Sequence, residues 1–266
     1  MAGPTLWCLG YPAQAVRRSQ EALALAQELA HPSSLAEAQY WAAFLHHRRR
    51  EAPAVQAQAD ALLTLATVQG FPLWVGFGTC WRGWVLTMQG QSEAGLAQLR
   101  QGLAAVLATG QTLSQLGLVL LAEAAGRAGQ VEEGLRLLAE ALTALEASER
   151  GDLLAETYRL QGELLLRQAV GAGFKPAPTQ AAETSLQQAL AIARRQQAKS
   201  WELRAATSPS RLWQQQGRRD EARELLAPIY GWFTEGSDTA DLQEAKALLE
   251  ELGGQEPSSS SQGYAG

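Results

Sequence analysis

Small side chains recur in this chain at a spacing of about forty residues, and that recurrence limits its possible folds more than any motif does. One series falls at Ala15, Ala54, Gly95, Gly134, Ala182 and Ala222, with intervals of 39, 41, 39, 48 and 40. A companion lies seven residues on, at Ala22, Ala61, Gly102, Ala141, Ala189 and Ile229. A third series precedes them at Ala42, Gly83, Ala122, Gly162 and Ser210, with spacings of 41, 39, 40 and 48. Positions seven apart share one face of a helix, and small residues on such a face let antiparallel helices approach closely. Gly95, Gly102 and Gly134 interrupt otherwise good helices, where each costs about 1 kcal/mol relative to Ala. A helix contact repeated once per unit offsets that cost, so the chain reads as a stack of helical pairs.

Composition agrees. Hydrophobic residues make up 46% and charged residues 18% of 266, enough apolar surface to exclude wholesale disorder. Ala, Leu, Gln, Glu and Arg dominate over β-branched and aromatic types, which predicts an all-α fold. Turn chemistry separates the helices at Gln89-Gly-Gln-Ser92, Ala128-Gly-Gln130 and Gln216-Gly-Arg-Arg219. The spacing predicts helix pairs over 34–48 with 53–69, 73–88 with 92–108, 114–128 with 131–147, 153–169 with 180–197, and 200–216 with 219–232. The corresponding units run 33–70, 71–110, 111–150, 151–198 and 199–236, after a half unit at 6–32 and before a capping helix at 239–252. The single 48-residue interval is absorbed by Gly171-Ala-Gly-Phe-Lys-Pro-Ala-Pro-Thr179, whose Gly and Pro content is that of a loop. The low-complexity stretch 253–266 is expected to be disordered.

Several function classes find no support. A net charge of −5 argues against nucleic acid, which calls for a basic domain or stripe. Two cysteines, Cys8 and Cys80, cannot build a disulfide framework, and a reducing cytoplasm suits them. The opening residues lack a basic segment and a long apolar run, and no stretch approaches the ~18 apolar residues of a membrane span. No phosphate loop or dinucleotide fingerprint is present. Adjacent His46 and His47 point about 100° apart on a helix, unlike an i, i+4 metal pair. They, and Arg48-Arg-Arg50 behind them, read as a solvated helix end, with phosphate binding by the three arginines as the alternative. His31, before Pro32, reads as a turn residue. Glu132-Glu133 and Glu250-Glu251 read as solvated helix faces, and no Ser, Cys or Thr has an arguable base. The expectation is a chain without catalysis, metal or cofactor.

Leu118-x-x-Leu121-Ala122-x-x-Ala125 with Gly129-Gln-Val-Glu-Glu-Gly134, and Tyr158-x-x-Gln161-Gly162, resemble a tetratricopeptide repeat array, although a unit near 40 residues exceeds the usual ~34. Gly10-Tyr-Pro-x-Gln-Ala15, the run Ser19–Pro32, Gln69-Gly-Phe-Pro-Leu-Trp74 and Tyr230-Gly-Trp-Phe-Thr-Glu-Gly236 are similar to the carboxy-terminal repeat region of bacterial proteins joining a class III nucleotide cyclase to an AAA-type ATPase. The cyclase and ATPase motifs are absent. The resemblance implies a right-handed all-α solenoid serving as a protein-interaction or regulatory scaffold in signalling, with ligands on the concave face of the first helices. By register that face holds Gln39 and His46; then Phe77, Cys80 and Trp84; then Val119, Glu123 and Arg127. It continues through Arg159, Glu163 and Arg167 to Arg204, Arg211 and Gln214. Phe77, Cys80, Trp84, Glu123, Arg127, Arg159, Glu163 and Arg211 are the candidates for gripping a peptide or another domain's helix, with Trp84 as anchor. Trp41, Trp74, Trp81, Trp201 and Trp213 fit as core fillers. Alternatives are a small-molecule effector domain, or a remnant of a larger signalling ATPase.

Two local expectations complete the reading. Pro209 falls inside a first helix, where proline removes a backbone donor and clashes with the preceding turn, so a kink or break is expected at 207–209. At the amino terminus only Leu6-Trp-Cys-Leu9 represents a first helix, leaving an uncapped edge to dock an upstream domain or a second copy.

Overall fold

A computed structural model describes residues 2–111, 115–147, 151–171 and 180–254. Among these, every regular element is a helix: α1 (Ala2–Cys8), α2 (Pro12–Glu28), α3 (Pro32–Arg48), α4 (Ala52–Gln69), α5 (Pro72–Met88), α6 (Ser92–Ala108), α7 (Gln115–Arg127), α8 (Val131–Glu146), α9 (Leu154–Gly171), α10 (Gln180–Arg195), α11 (Lys199–Gln215), α12 (Arg219–Tyr230) and α13 (Ala240–Gly253). Each helix packs on the next in sequence, and first helices of neighbouring units also touch, as α3 on α5, α5 on α7, α7 on α9 and α9 on α11. That is an all-α helical-repeat solenoid. None of the described helices is long and apolar enough to cross a membrane. Gly171 of the inserted loop 171–179 ends α9, and Gly253 of the tail 253–266 expected to be disordered ends α13; residues 172–179 and 255–266 lie outside the described residues.

Punctuation comes from proline and glycine. Prolines open α2, α3, α4 and α5 in their first turn, where no backbone donor is missed. His31 caps α3 by accepting from the Ser34 backbone N–H at 3.3 Å. Between these ends, the small-residue series works as close packing. A methyl group at Gly102 would lie 2.7 Å from the Cys80 backbone nitrogen and 2.8 Å from the Gly76 carbonyl, and one at Gly95 would lie 2.6 Å from the Gly83 carbonyl. Ala42, Gly83, Ala122, Gly162 and Ser210 are all buried. The register fails only early in the chain. Ala22 is exposed, and in α4 the buried stripe is Val55, Ala59, Leu62 and Ala66, one residue past the expected Ala54 and Ala61.

Two expectations are corrected: a break at 207–209 and an uncovered amino-terminal edge. α11 runs unbroken from Lys199 to Gln215 through a buried Pro209. Proline forfeits one ladder bond, but tertiary contacts on both sides hold the helix: the Ser208 hydroxyl donates to Glu163 at 2.9 Å, and the Ser210 hydroxyl to the Ala222 carbonyl at 3.3 Å. The amino-terminal edge is also not open. Residues 2–8 form a helix that packs on α2, α3 and α11, so the first and last units meet. Trp7 stands edge-on to Trp201 with ring centres 4.7 Å apart, and the Ser200 hydroxyl donates to the Trp7 carbonyl at 2.5 Å. Together with Ala15, Leu45, Ala155, Ile192, Ala193 and Ala198 they form one buried cluster. Glu235 adds a long-range cap, its carboxylate accepting from the backbone N–H groups of Ala13 and Gln14 at 3.0 and 3.1 Å. The apolar edge that sequence reasoning offered to a partner is occupied by this chain's own carboxy-terminal units.

Candidate functional site

Closure turns the concave face into the wall of a central cavity of about 360 Å³. α3 contributes His47, Arg48 and nearby Arg50; α5 contributes Trp84; α7 contributes Glu123 and Arg127; and α9 contributes Glu156, Arg159, Glu163 and Arg167. α11 supplies Trp201, Arg204, Thr207, Ser208 and Arg211, and the terminal helix α13 supplies Asp241 and Glu244. Seven arginines and five carboxylates line it.

The carboxylates are bound to arginines. Arg159 bridges Glu156 at 2.7 Å and Glu163 at 2.5 Å, and Arg204 bridges Asp241 at 2.5 Å. Arg50 meets Glu244 at 2.9 Å, and Arg127 meets Glu123 at 3.0 Å. Burial alone would raise the Glu156 carboxyl, but Arg159 and Arg204 beside it overcome that and hold it down at about 2. Against the same opposition from burial, Arg127 and His47 hold Glu123 below its ordinary value. Burial pushes His47 down to about 4, with only Glu123 and Glu156 opposing, so the ring is neutral near pH 7.

Arg48 differs from the others. It is 1% exposed, its guanidinium centre lying 4.5 Å from the Trp201 ring centre and 4.7 Å from that of Phe44. Its one ion pair among the described residues, from Nη2 to Asp152 at 3.2 Å, reaches a carboxylate whose side chain is 60% exposed. Among the described residues, Nε and Nη1 have no hydrogen-bond partner, and neither does Nδ1 of His47.

Of the residues expected on the concave face, Trp84, Val119, Glu123, Arg127, Arg159, Glu163, Arg167, Arg204 and Arg211 line the cavity. Phe77 and Cys80 do not. Phe77 packs on Tyr40 and Trp74, and the Cys80 thiol faces Gly102 of α6. A first helix shows several faces, and on α5 the one bearing these two residues is committed to neighbours. Trp84 is 2% exposed, with its indole N–H donating to Glu123 at 3.3 Å. His46 pairs with Glu51 at 2.6 Å, and Gln214 bonds Glu251 of α13. Gln39 is buried outside the cavity wall.

The expected solvated end of α3 is a second correction. His47 packs among the rings of Phe44, Trp81 and Trp84. Arg48 and Arg49 are buried because the closing units fold over this end: Arg49 donates to the Pro12 carbonyl at 3.1 Å, and Arg204 donates to the Arg48 carbonyl at 2.6 Å. Of the lining residues, Arg48 and Arg50 were legible only through the phosphate-binding alternative for their run, while Glu156, Asp241 and Glu244 were missed. Three successive arginines in an acidic chain were the only signal available for the first two.

Among the described residues, no group of three His, Cys, Asp or Glu side chains is placed to hold a metal. No protein-family model matches the chain, and no curated protein matches it in sequence.

Proposed function

We propose that this chain is a binding and regulatory module, not an enzyme, and that its concave face receives a small molecule instead of an extended peptide. The observation that carries this reading is the closure of the solenoid. A groove that must admit a peptide has open ends, whereas here α1 seals against α11 and leaves a cavity of about 360 Å³, within the range of small-molecule sites. The buried state of Trp84 and the absence of Phe77 and Cys80 from the wall weigh against the peptide groove that the tetratricopeptide resemblance implies. Regulation follows from architecture: a ligand touching α3, α9, α11 and α13 at once binds the closed form better than an opened one, and so shifts the population between them. A protein partner reading that difference on the outer surface would give the module its scaffold role in signalling.

The test is thermal stability of the purified chain across a library of neutral, cationic and anionic metabolites, run beside peptide display. A ligand at a hundred times its dissociation constant stabilises by about 2.7 kcal/mol, so at least one compound raises the melting temperature. Peptides that bind while no compound stabilises the chain would overturn the reading. ATP hydrolysis and cyclic-nucleotide synthesis are expected to be blank, and turnover abolished by a single substitution in this chain would sink the non-enzymatic part.

A further inference from the structure

The cavity's charges are unevenly spent. Its five carboxylates are engaged by Arg50, Arg127, Arg159 and Arg204. The remaining three arginines are Arg211, 3.5 Å from an already paired Glu244; Arg167, which donates to the Gly126 carbonyl at 3.2 Å; and Arg48. Seven arginines stand against five carboxylates in the wall; Arg48 also meets Asp152 outside it at 3.2 Å, which leaves Arg167 without a carboxylate partner among the described residues, in a chain whose net charge is −5. Arg48 is where the imbalance is sharpest. Its ring neighbours Phe44 and Trp201 stack on the guanidinium, while buried Nε and Nη1 carry N–H bonds with no acceptor among the described residues. A buried cation with unused donors is unfavourable unless an acceptor arrives, and a guanidinium held in place is suited to receive an oxyanion.

We propose that the ligand is a small anion bearing a carboxylate or phosphate group, held in the cavity by Arg48 and Arg167. This rests on the small-molecule reading above and adds the chemical class. Arg48 supplies the donors that lack partners inside the fold, and Arg167 supplies charge not matched by a carboxylate. His47, neutral and with a free ring nitrogen on the same wall, adds a further polar contact without adding charge.

Isothermal titration of the full chain with acetate, succinate, citrate, inorganic phosphate and glycerol 3-phosphate tests the idea, with glucose and putrescine as neutral and cationic comparators. The expected result is saturable binding of at least one anion. Arg48→Met weakens that binding tenfold or more, and Arg167→Gln weakens it several-fold. Carboxylates binding without phosphates, or the reverse, identifies which oxyanion the site takes. Where Arg48→Met does not fold by circular dichroism, Arg167→Gln decides alone, because its side chain holds only a backbone carbonyl. Binding unchanged in Arg167→Gln and in a folded Arg48→Met would overturn the assignment, as would binding of glucose or putrescine with none of the five anions. In that last case the small-molecule reading stands and only the anionic class falls; if the wider metabolite library also fails, both fall.

Discussion

At the residue scale, the cavity's chemistry comes from side chains whose environments oppose their ordinary behaviour. An exposed histidine takes up a proton near pH 6.5, whereas His47, desolvated among Phe44, Trp81 and Trp84, resists until about pH 4. Between those values the unfolded chain binds the proton and the folded chain does not, so stability rises with pH. The contribution is complete above pH 6.5 and is lost as pH falls towards 4, an effect of about 3 kcal/mol at 1.36 kcal/mol per unit. Denaturant unfolding at half-unit steps should show this limb, and His47→Leu should flatten it. Glu156 is held at about 2 and has the same sign, but its loss comes lower, as pH falls from the ordinary carboxylate range towards 2. That lower limb remains in the His47 variant.

Glycine shows the other residue-scale reversal. Replacing a helix-interior glycine by alanine ordinarily stabilises by about 1 kcal/mol. At Gly102 the added methyl would meet backbone atoms of α5 that cannot move independently. Gly102→Ala is therefore expected to destabilise by about 1–3 kcal/mol, the cost of overpacking, while Gly253→Ala, with nothing near its added methyl, is neutral or mildly stabilising. Equal effects at the two positions in thermal melts would show that close helix approach is not what the small-residue repeat supplies.

At the scale of elements, α1 depends on residues more than 190 positions away and α2 on one more than 220 positions away. The Glu235 carboxylate at the first turn of α2 satisfies two orphan backbone donors and complements the helix dipole. Glu235→Ala should cost about 1 kcal/mol and speed amide exchange in α1 and α2, with α7 and α8 unchanged. Uniform loss of protection would show that the contact is not local. Nearby, Gly236 sits at φ +78° with Pro12 packed where a side chain would go, so the same turn is fixed by backbone conformation as well as by charge. α11 carries the opposite lesson. A proline that propensity alone would place at a break is held in a continuous helix by packing on α9 and α12.

At the scale of the whole molecule, a solenoid's units contact only their neighbours, and its ends are ordinarily its weakest parts. Here the ends meet, so loss of the closing contact should change shape as well as stability. Trp201→Ala empties the space facing Trp7 and Arg48 and is expected to cost about 3–5 kcal/mol. Small-angle scattering should register a larger radius of gyration, since opening separates the first and last units. A destabilised variant of unchanged radius would mean that the cluster supports stability without holding the ring shut.

Much of the architecture was legible in the residues themselves. Helix pairing, the turn positions, the all-α class and the forty-residue unit follow from periodicities of seven and forty, which are local or nearest-neighbour properties. Trp84, Glu123, Arg127, Arg159, Glu163 and Arg211 could be placed on the inner face by combining the tetratricopeptide resemblance with helical register, although the same register misplaced Phe77 and Cys80. Closure was not legible. It depends on how small rotations accumulate over successive units, and no residue encodes that sum. Contacts such as Trp7 with Trp201, Arg204 with the Arg48 carbonyl and Glu235 with α2 join segments whose separation no periodicity reports. Consequently the sequence alone determined what each unit is, while the tertiary structure decided that Arg48 and Trp84 are buried, and that the inner face encloses a charged cavity. Burial and partnering are properties of where a side chain ends up, and in a ring that place is set by units far along the chain.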